Sequence, residues 1–161
     1  MNTTAIKAFW EAFLDTFPAE EKPTQGYTAW HFCNTEELAN RLGDLVLRGT
    51  KTATSSLVWT YEAENEALPK AEDLSVIINW NSDPLCIIET TEAEVKPFNT
   101  VDAAFAYDEG EGDRSLAYWR SVHWEFFAKE CKAIGREASE TMPVVCERFR
   151  IVYPIPRKDN K

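Results

Sequence analysis

Apolar periodicity along this chain switches irregularly between the helical and the extended kind, and that mixture constrains its fold more than any other feature. Near residues 4–17, Ile6, Phe9, Trp10, Phe13, Leu14 and Phe17 recur at helical spacing and make one apolar stripe. Thr3 or Thr4 can cap the start, and Pro18 stops the helix. Residues 18–28 read as a loop around Pro23 and Gly26, and Trp30–Cys33 as a short strand. A second helix is expected near 35–48, with Leu38, Ala39, Leu42, Leu45 and Val46 as its stripe. Asn34 and Glu37 resemble a capping box at its start, and Gly49 stands where a left-handed cap ends it.

Leu57–Tyr61 reads as a strand, followed by an acidic loop over 62–73. Leu74–Trp80 and Leu85–Thr91 flank Asn81-Ser82-Asp83-Pro84, a hairpin signal. A short helix near 100–108, breaks at Gly110 and Gly112, a long helix near 115–134 and a strand over Val144–Tyr153 complete the chain. Strands scattered among helices in this way argue for an α+β fold rather than a parallel α/β sheet.

A length of 161 residues fits one domain, with a helical extension over about 1–28 and a frayed end over about 155–161. No run of about 18 apolar residues exists, so no membrane span is expected. The first residues lack the basic start and apolar stretch of a secretory signal, so a cytoplasmic location is expected. Cys33, Cys86, Cys131 and Cys146 are widely spaced and read as small buried hydrophobes.

A net charge of −10 leaves no broad basic surface for duplex DNA, since phosphate binding rests on many cations. A local basic cleft could draw on Arg41, Arg48, Lys51, Arg114 and Arg120. The expected partner is a small ligand, a short single strand or a protein.

Three segments carry candidate chemistry. Gly49-Thr50-Lys51-Thr52-Ala53-Thr54 follows a helix end, which distinguishes it from a P-loop, where the lysine precedes the helix. In a strand Lys51 and Thr54 would point to opposite faces, but in a helical or turn-like loop they would share one, and a lysine of depressed pKa can activate a hydroxyl nucleophile. The plainer reading is a solvated lysine with hydroxyls that satisfy the turn. In Asp108-Glu109-Gly110-Glu111-Gly112-Asp113-Arg114, the glycines can present Glu109 or Glu111 into a cleft as an acid or base. The alternative is an acidic loop that caps the next helix through Asp113 or Ser115. In the third segment Trp119 and His123 share a helix face and read as core, while Arg120 could meet the acidic turn or a phosphate. Two scattered histidines without ligand spacing point away from zinc, and no cofactor is expected.

These segments resemble those of the longer bacterial members of the ASCH domain family, a group related to the PUA domain. The resemblance runs from about Phe9 to Tyr153. It rests on residues 45–56 around the Gly-x-Lys loop, Cys86–Thr91, Ala106–Asp113, Trp119-Arg120 with His123, and Val145–Phe149. One departure is Ala71-Glu72-Asp73, where longer members usually carry Gly-Asp. The resemblance implies a PUA-like mixed β-barrel with flanking helices and RNA-related work. Short members look like amidohydrolases that deacetylate N4-acetylcytidine through a Gly-x-Lys-x-x-Thr motif and a glutamate in an Ala-x-x-Glu context. By that likeness Thr54 is the nucleophile, Lys51 its activator and Glu109 the acid/base. Arg48, Thr52, Ser55, Glu111 and Arg120 are then expected to bind the ligand. Single-stranded RNA binding, RNA cleavage and noncatalytic ligand binding in the same cleft are the alternatives.

Overall fold

The computed structural model describes residues 1–155. The end expected to fray therefore lies, apart from Ile155, outside the described residues. Helix α1, Thr3–Leu14, is capped by Asn2, whose side chain accepts from the Ala5 amide, rather than by Thr3 or Thr4. Strand β1 is Tyr27–Trp30, earlier than expected. Helix α2 is Glu36–Leu47, and Thr35, not Asn34, caps it by accepting from the Leu38 amide. Strand β2, Ala53–Leu57, runs directly into helix α3, Val58–Glu64.

The strand expected over Leu57–Tyr61 is therefore a helical turn. Val58, Trp59 and Tyr61 favour strands as residues, but packing overrides propensity here. Val58 is buried, Trp59 packs on the core, and Asn65 ends the turn in a left-handed conformation.

Strands β3, Leu74–Ile78, and β4, Pro84–Pro97, form the expected hairpin, and Asn79 and Asp83 close its turn. Helices α4, Ala103–Glu109, and α5, Leu116–Ala133, precede the last strand β5, Pro143–Tyr153. The sheet order is β1-β3-β4-β5-β2, with β1 parallel to β3 and the other pairs antiparallel. This is the expected α+β architecture, but the sheet is open rather than a closed barrel. The chain entering β2 bonds to α4 in place of β1: the Thr52 amide donates to the Asp108 carbonyl at 2.8 Å.

Strand alternation sorts the core onto both faces. Leu74, Val76, Ile78 and Ile87 meet Ile6, Trp10 and Phe13 of α1. Ile77, Cys86, Ile88 and Phe149 meet Leu42 and Val46 of α2. Ala53, Leu57, Val144 and Cys146 meet α4 and α5 through Phe105, Trp119 and Phe127. Each such side chain contributes about 1.5–3 kcal/mol on burial. The packing fixes the end of α2, the end of α4 and one face of α5 around the start of β2.

Candidate active site

Lys51 reaches the interior because α2 ends abruptly. Gly49 adopts φ 74°, and the Thr50 and Lys51 amides then both donate to the Leu45 carbonyl at 3.0 Å. The reversal aims Lys51 inward, where it is 1% exposed. Its ammonium lies 3.2 Å from Glu109 Oε1, 3.4 Å from the Glu109 carbonyl and 3.4 Å from Glu111 Oε1. All three of its donors are thus accounted for.

Glu109 and Glu111 are brought together by the glycines between and after them. Gly110 ends α4 at φ 72°, and a Cβ there would lie 2.4 Å from the Thr50 carbonyl oxygen. A glycine is required on both counts. Both carboxylates enter the cluster, so the acidic turn does more than cap. It caps as well: Ser115 accepts from the Tyr118 amide and begins α5.

Glu109, 1% exposed, is a hub. Its Oε2 accepts from Ser55 Oγ at 2.7 Å and from Trp119 Nε1, and lies 3.3 Å from His123 Nε2. Burial alone would raise its pKa. The Lys51 charge, the His123 charge and hydrogen bond, and the Trp119 N–H outweigh burial and hold it well below the usual carboxylate range. His123 Nδ1 donates to the Trp119 carbonyl at 2.8 Å while Nε2 faces Glu109. Both ring nitrogens therefore face acceptors, the arrangement of an imidazolium. Burial works against that charge, but Glu109, then Glu111 and the Trp119 carbonyl, raise the His123 pKa overall. Two cations and two anions thus share one buried cluster, closed on one side by the Trp119 ring stacked on His123 at 4.3 Å.

Glu109, Glu111 and His123 bring ligand-type atoms within 4.8 Å of one another. The Lys51 ammonium already contacts both carboxylates and supplies the positive charge a metal would bring, so the donor set suits the lysine better than an ion.

The structure gathers Lys51, Ser55, Glu109 and Glu111 from the expected residues. Thr52 tethers the loop, its hydroxyl donating to the Asp108 carbonyl at 3.4 Å. Thr54 alternates with Ser55 and faces the other side of β2, where Glu147 is its partner across the ladder. Among the described residues no hydrogen bond joins Thr54 to Lys51 or Glu109. Lys51 nonetheless borders that side, its ammonium 5.2 Å from the Phe32 ring centre. Phe32 in turn packs on Phe149, two residues beyond Glu147 on the same face.

The other cations do not assemble a basic cleft. Arg48 is exposed at the end of α2, and Arg41 is exposed along that helix. Arg120 is exposed beside Phe98 and Trp124, away from the acidic turn. Arg114 lies on the Tyr107 ring at 3.5 Å and donates to the Tyr107 and Thr50 carbonyls, strapping the loop to α4. Trp119 and His123, expected as core, are buried and also bind Glu109. The signal for them was a histidine on an apolar face, which needs a partner. Glu147, an acid within the apolar run Val144–Phe149, went unread in the same way.

Comparison with known proteins agrees with this fold. The ASCH domain profile matches residues 28–153. The solved ASCH domain of Lactobacillus crispatus is 41% identical, with a TM-score of 0.88 over 93% of this chain and 95% of that one. A crystal structure from Enterococcus faecalis assigned to family DUF984 is 37% identical, with a TM-score of 0.84 over 93% of this chain and 89% of the other. No protein of curated function matches. The profile covers most of the chain and both relatives share its fold at high identity: the chain belongs to the ASCH domain family, a PUA-like group associated with RNA-related functions.

Proposed function

We propose that the Lys51 cluster at the start of β2 belongs to the active site of an amidohydrolase that removes an acyl group from a modified pyrimidine nucleoside such as N4-acetylcytidine. The observation that carries this reading is the buried Lys51–Glu109 pair, both side chains 1% exposed, with its surrounding donors. Burying two charges is expensive, and apolar residues of similar volume would commonly be at least as stable. A pair held by a glycine-capped loop on one side and a glycine turn on the other suits chemistry better than stability. By resemblance, Lys51 and Glu109 correspond to the lysine and glutamate of the short ASCH members that look like amidohydrolases.

In this reading the Thr54 hydroxyl attacks the acyl carbon, and Lys51, whose three donors are engaged in the resting site, exchanges one of them for the acyl oxygen as negative charge grows there. Glu109 holds Lys51 in place. With Lys51, Ser55, Trp119 and His123 already on its carboxylate, this reading gives it an electrostatic role in place of the acid/base role expected for it. Single-stranded RNA binding ranks lower. The net charge is −10, Lys51 is neutralised within the cluster, and Arg114 is tied to carbonyls. Chromatography of N4-acetylcytidine incubated with purified protein tests the reading. Cytidine release is expected; salt-sensitive binding of short single-stranded RNA without turnover would contradict it.

A further inference from the structure

The Lys51–Glu109 cluster leaves one requirement unmet. A threonine hydroxyl is a weak nucleophile until a base accepts its proton. Glu109 is engaged with Lys51, Ser55, Trp119 and His123 on the Ser55 side of β2. Thr54 faces the other side.

On that side Thr54 and Glu147 are directly opposed in the antiparallel β2–β5 ladder. Opposed residues send their side chains out together, with Cβ atoms about 4.5–5.5 Å apart, close enough for a carboxylate to reach a hydroxyl. Glu147 is 8% exposed, in a strand whose neighbours Val145 and Cys146 are apolar and buried. Among the described residues one side-chain hydrogen bond reaches it, from Thr90 Oγ1 on β4 at 3.3 Å. Among the described residues no salt bridge reaches it, in contrast to Glu109.

We propose, building on the amidohydrolase reading, that Glu147 is the catalytic base that takes the proton of Thr54. As Thr54 Oγ1 bonds to the acyl carbon, the Glu147 carboxylate accepts the hydroxyl proton. Collapse of the tetrahedral adduct breaks the bond between the acyl carbon and N4. Protonated Glu147 returns its proton to that nitrogen, which releases cytidine and leaves an acyl ester on Thr54. Glu147 next takes a proton from water as the water oxygen bonds to the acyl carbon. The Thr54 oxygen leaves with that proton, and the carboxylic acid departs.

The surroundings of Glu147 suit a base working near neutrality. Thr54 faces it from β2, Thr90 from β4 and Asp73 from the turn before β3. Tyr61 of α3, hydrogen-bonded to Ser56 at 3.0 Å, also senses its charge. Burial pushes the Glu147 carboxyl up to about 7, with Asp73 adding to the rise and the Thr90 hydrogen bond opposing it.

The test is the pH dependence of N4-acetylcytidine hydrolysis by wild type, Glu147→Gln and Glu147→Asp. Glutamine keeps the size of the side chain and its bond to Thr90, so the fold should persist, and a melting curve checks this. The wild-type kcat/KM should rise with pH through about 7. Glu147→Gln should lose about 100-fold or more in kcat, with little change in KM and no rising limb. Glu147→Asp should restore part of the rate and the limb with it. A wild type that turns over while Glu147→Gln keeps its rate and pH profile would overturn the base and leave the amidohydrolase reading standing. A folded wild type without turnover would overturn both.

Discussion

The Lys51 ammonium sits 3.2 Å from Glu109 Oε1 with both side chains sealed from solvent, joining the loop after α2 to the end of α4. Removing one partner strands the other as a buried charge. Lys51→Met should therefore destabilise the protein by about 3–5 kcal/mol. The double variant Lys51→Met/Glu109→Gln leaves no orphaned charge at that pair and keeps an oxygen for Ser55 and Trp119. It should be more stable than Lys51→Met alone. Urea unfolding of the singles and the double gives the coupling, and additive losses would contradict the pairing.

Two glycines near the site should respond differently to alanine. Gly49 has φ 74° with nothing within 4 Å of an added Cβ, so Gly49→Ala should cost only the left-handed strain, about 1–2 kcal/mol. At Gly110 the same strain comes with a Cβ placed 2.4 Å from the Thr50 oxygen and 2.8 Å from its carbon. Gly110→Ala should lose more stability than Gly49→Ala and shift the Lys51 loop. Equal thermal shifts would argue against the close approach.

The pH dependence of stability has opposing parts. Glu109 is held below its ordinary value, so its contribution is present above about pH 4.3 and is lost as pH falls through its depressed folded value. His123 is raised, so its contribution is full below about pH 6.5 and fades as pH rises through its folded value. Glu147 is raised to about 7, so its neutral form favours the fold and that advantage fades between about pH 4.3 and 7. Glu147→Gln should flatten the decline in that window, as read by unfolding at a series of pH values. An unchanged decline would place the titration elsewhere.

Trp119 supplies both a donor to Glu109 and a ring to His123. Trp119→Phe keeps an aromatic surface and removes the N–H, so it should cost about 1.5–3 kcal/mol, as for a hydrogen bond to a charged group. The His123 pKa, followed by NMR, should shift as Glu109 loses a donor. No change in either quantity would exclude the bond.

Thiol labelling of the native protein should find Cys33 first. It is half-buried, whereas Cys86, Cys131 and Cys146 are buried, and burial pushes the Cys86 and Cys146 thiols up to about 12. Fast labelling of all four would contradict the packing of β4, α5 and β5.

The helices were legible because each carries an apolar stripe, and the β3–β4 hairpin because a polar, proline-containing turn divides two apolar runs. Ends were less so. Asn34 and Thr35 are both good caps, and sequence does not say which hydroxyl or amide meets the Leu38 amide. Val58–Tyr61 carries strand-favouring residues, and only the packing of Val58 and Trp59 turns it helical. Lys51, Glu109, Glu111 and Ser55 stood out because two glycine-bearing loops flank them. Trp119 and His123 read as core because an apolar helix face does not show that Glu109 folds back against it, and Glu147 did not stand out because its partner Thr90 lies on another strand. The side of β2 that Thr54 faces depends on where β2 begins, a matter of a residue either way.

Whether the buried Lys51–Glu109 pair performs chemistry can be tested directly. The measurement is cytidine release from N4-acetylcytidine by wild type and by Lys51→Met/Glu109→Gln, with melting curves for both. Turnover by wild type is expected, with a loss of about 100-fold or more in a double variant that still folds. A folded double variant with the wild-type rate, or a folded wild type with none, would contradict it.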